Sequence, residues 1–104
     1  MHATIRRYEG VDQNRIVELN KKVSESLIPK LNELPGFVGY YLIEADNGVM
    51  TSLGLFEKAD QADESGRIAA TWIRDEQLWS AIPNAPMVTT GKVLVGETAR
   101  VLVA

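Results

Sequence analysis

The side chains of this sequence that could carry out chemistry concentrate in one predicted helix. Trp72 and Glu76 are four residues apart, so a helix places them on the same face. The other residues of that face are small or apolar: Ala62, Ser65, Ile68, Ala69 and Trp79. A carboxylate that points toward a core needs a partner or a proton, and both situations are common at functional sites. Glu76 is therefore a candidate base, unless the helix frays before it or its side chain reaches solvent.

Three further side chains are candidates for ligand contact, together with Trp72. Asn20 lies at the edge of the inward face of the first predicted helix. Its amide could bond a ligand carbonyl or phenol, or it could bond water or backbone at the boundary. Tyr40 and Tyr41 are consecutive in a predicted strand, so only one of them can face the helices. Trp72 could line a ligand cavity or serve only as a core anchor.

The other conspicuous side chains are predicted to have structural or surface roles. Trp79, near the end of its predicted helix, is expected to pack in the core or at an interface. His2 could act as an acid or base near neutral pH, but as the second residue it is expected to be exposed. Arg6 and Arg7 point to opposite faces of the first strand, so one of them could be drawn into an interface.

Composition excludes several classes of site. The chain has no cysteine and a single histidine. Disulfides, thiolate metal sites, cysteine nucleophiles and sites built from several histidines are therefore excluded. Neither a nucleophile triad nor a phosphate-binding loop is visible. We expect the protein to use no metal and no organic cofactor.

Charge and hydropathy indicate a soluble protein. The net charge is -3, and its acidic and basic residues are interspersed. A nucleic-acid groove needs a basic patch, so no nucleic-acid partner is expected. The N-terminus lacks the apolar run of a signal peptide, and no stretch approaches the length of a membrane span. The expected location is the cytoplasm, with no membrane partner.

The hydrophobic pattern predicts one domain over residues 1–104, in the order strand, helix, strand, strand, helix, strand. The strands are predicted at 3–8, 37–44, 49–56 and 87–96. The first helix begins near Asp12 and the second runs from Asp60 to about Trp79. This order is typical of an α+β, ferredoxin-like βαββαβ fold with a four-stranded antiparallel sheet. Residues 97–104 would be a tail or a short extra strand.

Two local signals mark boundaries within this order. Pro29 should end the first helix or kink it, because a proline ring disfavours a helical conformation in the residue before it. Asn47 and Gly48 form the strongest short hairpin signal, because both tolerate a positive φ. A tight hairpin is therefore predicted between the second and third strands.

The central hairpin carries apolar residues on both of its faces. In the second strand one side has Phe37, Gly39, Tyr41 and Ile43, and the other has Val38, Tyr40 and Leu42. Two helices can cover only one face of the sheet, so the second face is expected to be buried elsewhere. We expect a homodimer formed through this open sheet face, unless the apolar residues there are merely scattered on the surface.

Four segments of the chain match the pattern of a known superfamily. They are Leu-Pro-Gly-Phe at 34–37, Asn-Gly at 47–48, Leu-Phe-Glu at 55–57, and the helical segment 64–73. On these segments, residues 4–95 resemble the dimeric α+β barrel superfamily, most closely its antibiotic biosynthesis monooxygenase-like branch. The resemblance implies a ferredoxin-like fold, pairing into a dimeric barrel, and a pocket between helices and sheet.

The superfamily includes haem-degrading proteins, cofactor-independent oxygenases of polycyclic phenols, and members with no known role. Haem-degrading relatives use an asparagine on the first strand, a tryptophan on the second helix and a histidine about one loop later. Trp72 resembles that tryptophan, but residues 3–8 contain no asparagine and no histidine follows Trp72, which disfavours haem degradation. Phenol-oxidising relatives draw on asparagine, tryptophan and tyrosine, roles that Asn20, Trp72 and Tyr40 or Tyr41 could fill.

Two functions follow as hypotheses. The first is a cofactor-independent monooxygenase-like enzyme that acts on a small aromatic or polyketide-like molecule. Such chemistry needs no metal if the substrate reduces oxygen as a carbanion, while the protein supplies a dry pocket and hydrogen bonds to the anion. The second is a non-catalytic small-molecule-binding or stress-associated domain that uses the same dimer scaffold. Fold analogy does not choose between them, and a large cavity lined by Trp72 would favour the enzyme.

Overall fold

The computed structural model describes residues 1–97, and its strands and helices follow the predicted order. The strands are β1 (His2–Tyr8), β2 (Phe37–Glu44), β3 (Met50–Phe56) and β4 (Met87–Lys92). The helices are α1 (Ile16–Lys22), α2 (Ile28–Asn32) and α3 (Ala59–Asp75). A 3-10 turn (Gln13–Arg15) precedes α1, and a π-helical segment (Val23–Leu27) joins α1 to α2. Residues 13–32 thus form one continuous helical element, called the first helix below.

The four strands form one antiparallel sheet in the order β2-β3-β1-β4. In β1, Ile5 lies opposite Leu53 of β3 on one side and Thr89 of β4 on the other. Each helical element connects two parallel strands that have a third strand between them, as in split βαβ units. The predicted α+β, ferredoxin-like fold is confirmed.

The two faces of the sheet differ sharply in burial. The inner face, which the first helix and α3 cover, carries Thr4 and Arg6 of β1 and alternate residues of β3 from Met50 to Phe56, all of them buried. The open face carries Tyr41 and Ile43, which are 60% and 50% exposed. The described chain therefore has a second apolar sheet face that its own helices do not cover.

A bulge in β2 moves Phe37 to the inner face. The register shifts between Phe37 and Gly39, so that Phe37 lies opposite Phe56 and Gly39 lies opposite Leu55. The Phe37 and Phe56 rings are 5.7 Å apart at their centroids and tilted by 58°. Simple alternation, which places Phe37 on the same face as Gly39 and Tyr41, is therefore wrong for Phe37. It also places Val38 with Tyr40 and Leu42, whereas Val38, at the bulge, is 50% exposed.

The first helix continues through Pro29 rather than ending there. Asp12 caps it as predicted, since its carboxylate accepts a hydrogen bond from the Asn14 backbone N–H at 3.0 Å. The backbone N–H of Ile28 bonds the carbonyl of Val23, five residues earlier. This wider π turn moves the preceding carbonyls away from the proline ring, which would clash with the carbonyl four residues earlier in a regular α-helix.

The second helix, α3, is shorter than its sequence pattern predicts. It begins at Ala59, where Gln61 accepts a hydrogen bond from the Lys58 backbone N–H. Asp60 lies inside the first turn, and its carboxylate accepts a hydrogen bond of 3.0 Å from the Gln61 backbone N–H. It ends at Asp75 because Gln77 takes a positive φ of 55°. The Leu78 N–H then bonds the Ile73 carbonyl at 3.0 Å, which closes a Schellman motif. The predicted extension to Trp79 is wrong.

The last strand is also shorter than predicted. β4 ends at Lys92 instead of reaching residue 96. All of its residues are exposed, so no packing from within the described chain extends it further. The predicted tail or extra strand at 97–104 lies outside the described residues, except for Glu97.

The hairpin between β2 and β3 uses the predicted Asn-Gly turn. Asn47 and Gly48 have φ values of 62° and 75°, and the Ala45 N–H bonds the Val49 carbonyl at 2.9 Å. Gly48 also touches the loop before the first helix, because its carbonyl accepts a hydrogen bond of 2.9 Å from Val11. A Cβ atom at position 48 would lie only 2.9 Å from the Val11 carbonyl oxygen.

Replacing Gly48 with valine should lower the free energy of unfolding by about 1–3 kcal/mol. A β-branched residue resists a positive φ, and its Cβ would collide with the backbone at Val11. Chemical denaturation measures the change, and Gly91→Val is the control, because nothing lies within 4 Å of a Cβ at that exposed position. Equal stabilities of the two variants would contradict this explanation of the turn.

Candidate functional site

A cavity lies between the sheet and the two helical elements, and its volume is about 40 Å³. Its wall is mainly apolar, with Leu19, Val23, Leu27 and Leu31 from the first helix. The polar or aromatic residues of the wall are Arg6, Tyr8, Tyr40, Ser52, Phe56, Ser65 and Trp72. This volume has room for a few water molecules and is far below the few hundred Å³ of a typical ligand pocket. An aromatic ligand would therefore have to widen it.

Trp72 forms part of the wall between this cavity and a groove outside it. The side chain is buried, and its indole N–H donates a hydrogen bond of 3.0 Å to Ser26 Oγ. Ser26 lies in the π-helical segment of the first helix, so this bond ties α3 to that segment. Trp72 also lines the outer groove, of about 380 Å³, which runs along α2 and α3. Both predicted roles of Trp72, core anchor and cavity lining, are combined in one residue.

Glu76 lies beside Trp72, as the helical spacing predicts, but on the outer side of the wall. Its carboxylate is 3.2 Å from Lys22 Nζ and accepts a hydrogen bond of 3.3 Å from Ser26 Oγ. The side chain is about one third exposed and lines the outer groove rather than the cavity. Glu76 therefore has the partner that its position requires, and that partner is a lysine of the first helix.

The two tyrosines of β2 separate as the strand alternation predicts. Tyr40 faces the helices and lines the cavity, whereas Tyr41 lies on the open face. Burial raises the pKa of the Tyr40 phenol to about 12, and a hydrogen bond from Ser52 opposes the shift. The Tyr40 phenol is thus protonated at neutral pH and can act as a hydrogen-bond donor, but not as a base.

Asn20 and Trp79 are not brought to the cavity. Asn20 is exposed on α1, next to the buried Leu19 that belongs to the inward stripe of the first helix. Trp79 follows the end of α3, and it is 57% exposed. His2 is half-buried at the start of β1. Of the predicted site residues, only Trp72 and Tyr40 line the cavity, and Glu76 is joined to Trp72 through Ser26.

Two cavity residues, Arg6 and Tyr8, were not singled out as site residues from the sequence. They alternate with Thr4 on the inner face of β1. Burial raises the pKa of the Tyr8 phenol, while the charge of Arg6 opposes the shift. The opposite orientation of Arg6 and Arg7 was predictable, but which of them faces the helices was not. Arg7 lies on the open face, where it pairs with Glu9 at 3.0 Å.

Comparison with known proteins shows similarity in structure only. The chain matches no protein-family model and no curated protein sequence. It superposes on a protein of unknown function from Nitrosomonas europaea with a TM-score of 0.72 and 14% identity, covering 95% of this chain and 94% of the other. A monooxygenase of Streptomyces coelicolor in complex with Nanaomycin D gives a TM-score of 0.70 and 13% identity, with coverages of 95% and 92%. A candidate antibiotic biosynthesis monooxygenase from Caulobacter crescentus gives 0.69 and 18%, with 90% of each chain covered.

The chain has the fold of the antibiotic biosynthesis monooxygenase-like proteins. The predicted structural resemblance is thereby confirmed over nearly the whole chain. Identities below 20% show a common fold and not a common activity.

Within residues 1–97, no helix has the length and apolar character needed to span a membrane.

The buried phenol of Tyr40 should make the protein sensitive to alkali. Its folded pKa lies above the ordinary 10.0, so folding favours the protonated form. That contribution is fully present below pH 10 and is lost as the pH rises toward 12, by on the order of 2 kcal/mol. The free energy of unfolding should therefore fall less steeply over this range in Tyr40→Phe than in the unmodified protein. Identical slopes for Tyr40→Phe and the unmodified protein would contradict the burial of Tyr40.

Proposed function

We propose that the protein is a cofactor-independent, monooxygenase-like enzyme that binds a small aromatic or polyketide-like molecule between its helices and sheet. The observation that carries the proposal is the cavity there, which is lined by Trp72, by the protonated phenol of Tyr40 and by a hydrophobic wall. The shared fold with a monooxygenase that binds Nanaomycin D supports it.

The proposed reaction is oxygenation of an activated carbon in a phenolic ring system. In an anthrone, loss of a proton from the ring methylene gives a carbanion, which transfers one electron to O₂. The resulting radicals combine into a peroxide, and loss of water leaves the new carbonyl of a quinone. The protein excludes water and supplies hydrogen-bond donors that stabilise the anion, and both effects lower the barrier of a reaction that passes through a charged intermediate.

Tyr40 is the proposed donor to the ligand oxygen, and Trp72 the proposed ring contact. The Trp72 N–H is already engaged with Ser26, so the indole offers the ligand its ring rather than its donor. Glu76 is held by Lys22 and Ser26 outside the cavity, which makes it a support of the wall rather than the base. The substrate is then proposed to bind as its anion, after losing its proton to water outside the cavity.

A second function is favoured by the small size of the cavity. A volume of about 40 Å³ suits a packed core better than an open active site. The alternative is therefore a non-catalytic, small-molecule-binding or stress-associated domain on the same scaffold. Turnover of substrate separates the two functions, because a binding domain would be stabilised by ligand without consuming oxygen.

A panel of phenols, quinones and anthrones tests the enzyme. In a Trp79→Phe background, a ligand that enters the cavity should quench the fluorescence of Trp72 and raise the melting temperature. Ligand at a hundredfold excess over its Kd should add about 2.7 kcal/mol of stability. An anthrone that is a substrate should also consume one O₂ per quinone formed.

Two variants refine the test. Trp72→Phe keeps most of the ring volume and removes the bond to Ser26, so it should weaken binding without emptying the core. Glu76→Gln should leave turnover nearly unchanged if Glu76 only supports the wall. A tenfold or greater loss of turnover in Glu76→Gln would instead support Glu76 as the base. If no compound of the panel binds or is turned over, the proposed enzyme function is refuted.

We also propose that two copies of the chain pair through the open sheet face. The supporting observation is its exposed apolar surface, which includes Ile5, Tyr41, Ile43 and Met87. A contiguous patch of such residues usually marks an interaction surface. Covering it with a second sheet would bury both copies of the face at once.

The protein should sediment as a species of about 23 kDa, twice the 11.5 kDa chain. Ile43→Glu places a charge in the proposed interface and should convert the dimer to a monomer at micromolar concentration. Val17→Glu is the matched control, since Val17 is also an exposed β-branched residue but lies on α1, away from the sheet. A monomeric unmodified protein, or dissociation of both variants alike, would exclude this interface.

A further inference from the structure

The guanidinium of Arg6 is buried in the middle of the fold. Arg6 lies on the inner face of β1, and only 7% of its surface is exposed. Its Nη2 atom donates a hydrogen bond of 3.4 Å to Ser65 Oγ on α3. Helix α3 passes close to the guanidinium at Gly66, where an added Cβ atom would lie only 2.6 Å from the Arg6 Nη2 atom. Gly66 therefore provides the space that the guanidinium occupies.

No acidic side chain compensates this buried charge. Among residues 1–97, the ion pairs involve Arg7, Arg15, Lys22, Arg67 and Arg74, and none involves Arg6. Residues 98–104 contain neither Asp nor Glu. Asp63, which shares a groove with Arg6, is exposed and does not pair with it. A buried cation is costly unless it is paired, so this position calls for an anion that residues 1–97 do not supply.

An apolar groove leads from the surface to Arg6. It has a volume of about 420 Å³ and lies between α3 and the loop of residues 79–86. Arg6 and Tyr8 form its inner end, and exposed Trp79 is part of its outer wall. Arg6, Tyr8, Ile73 and Ile82 line both this groove and the interior cavity, so the guanidinium stands where the two meet.

We propose that this groove binds an aromatic monoanion, an oxyanion conjugated with a planar ring, and that Arg6 selects the ligand by its charge. The guanidinium presents several donors in one plane, which suits the oxygen atoms of an enolate or a carboxylate. The protonated Tyr8 phenol lies beside it as a further donor, and the ring of the ligand packs between α3 and Trp79. The inference goes beyond the proposed function, because this groove adjoins the interior cavity but is lined by Trp79 rather than by Trp72 and Tyr40.

Matched pairs of probes separate charge from shape. 2-Hydroxy-1,4-naphthoquinone is an enolate at neutral pH, and 1,4-naphthoquinone is its neutral counterpart. The unmodified protein should bind the enolate about 10- to 100-fold more tightly, as expected for a hydrogen bond between charged groups. 2-Naphthoate and 2-naphthamide form the second pair, and a preference within this pair but not the first would assign the anion as a carboxylate. Calorimetry measures all four affinities.

Arg6→Met removes the charge and keeps an apolar chain of similar length, so it should reduce the preference to less than threefold. Arg7→Met is the matched control, because it removes the same charge from the adjacent residue on the open face. It should retain the full preference. Gly66→Ala keeps Arg6 but displaces its guanidinium, so it should lower the preference at least fivefold without loss of the fold. If Arg6→Met does not fold, Gly66→Ala is the deciding variant.

The outcomes distinguish this inference from the proposed function. Equal affinity for the charged and neutral members of both pairs, or an unchanged preference in the deciding variant, overturns the role of Arg6 and leaves the aromatic site intact. An equal loss of preference in Arg7→Met also overturns it, because net charge would then explain the effect. If none of the four probes binds, and the anthrones do not bind either, both the proposed function and the anion site fail.

Discussion

The buried charge of Arg6 constrains the inner half of this fold. A guanidinium can lie beneath α3 only where the helix leaves room for it, and Gly66 leaves that room. Ser65, the residue before Gly66, accepts the hydrogen bond that the Arg6 guanidinium donates. The same charge acts on its neighbours, since it opposes the rise in pKa of the buried phenols of Tyr8 and Tyr40. Residues of both β1 and α3 are thus arranged around one cation that has no ion-pair partner in the described part of the chain.

A second polar arrangement holds the two helical elements together on the other side of the cavity. Trp72 of α3 donates to Ser26 of the first helix, and Ser26 donates to Glu76 at the end of α3. Lys22 completes the group with an ion pair to Glu76. The π-helical segment that accommodates Pro29 is also the one that contains Ser26, so a local backbone adjustment supplies one partner of the wall. π turns of this kind often occur at functional sites.

These two arrangements explain why the cavity is small but well defined. At the Trp72 end of the cavity, a hydrogen bond joins α3 to the first helix. At the Arg6 end, the cavity is bounded by a loop and by an open groove. Entry of a ligand would disturb fewer hydrogen bonds at the Arg6 end. The open face of the sheet, on the opposite side, offers apolar area for association and carries none of the cavity residues.

The sequence by itself determined the elements and much of their orientation. Alternation along a strand separates Tyr40 from Tyr41, and helical spacing brings Glu76 next to Trp72, because both follow from fixed local geometry. The Asn47 and Gly48 turn was readable for the same reason, since positive φ depends on residue type.

Only the tertiary structure decided which of two equivalent arginines is buried and what surrounds it. Alternation allowed either Arg6 or Arg7 to face the helices, and the pairing of β1 with its neighbours made the choice. The β2 bulge that turns Phe37 inward has the same origin. Each depends on contacts between residues that are distant in the chain, which no local pattern encodes.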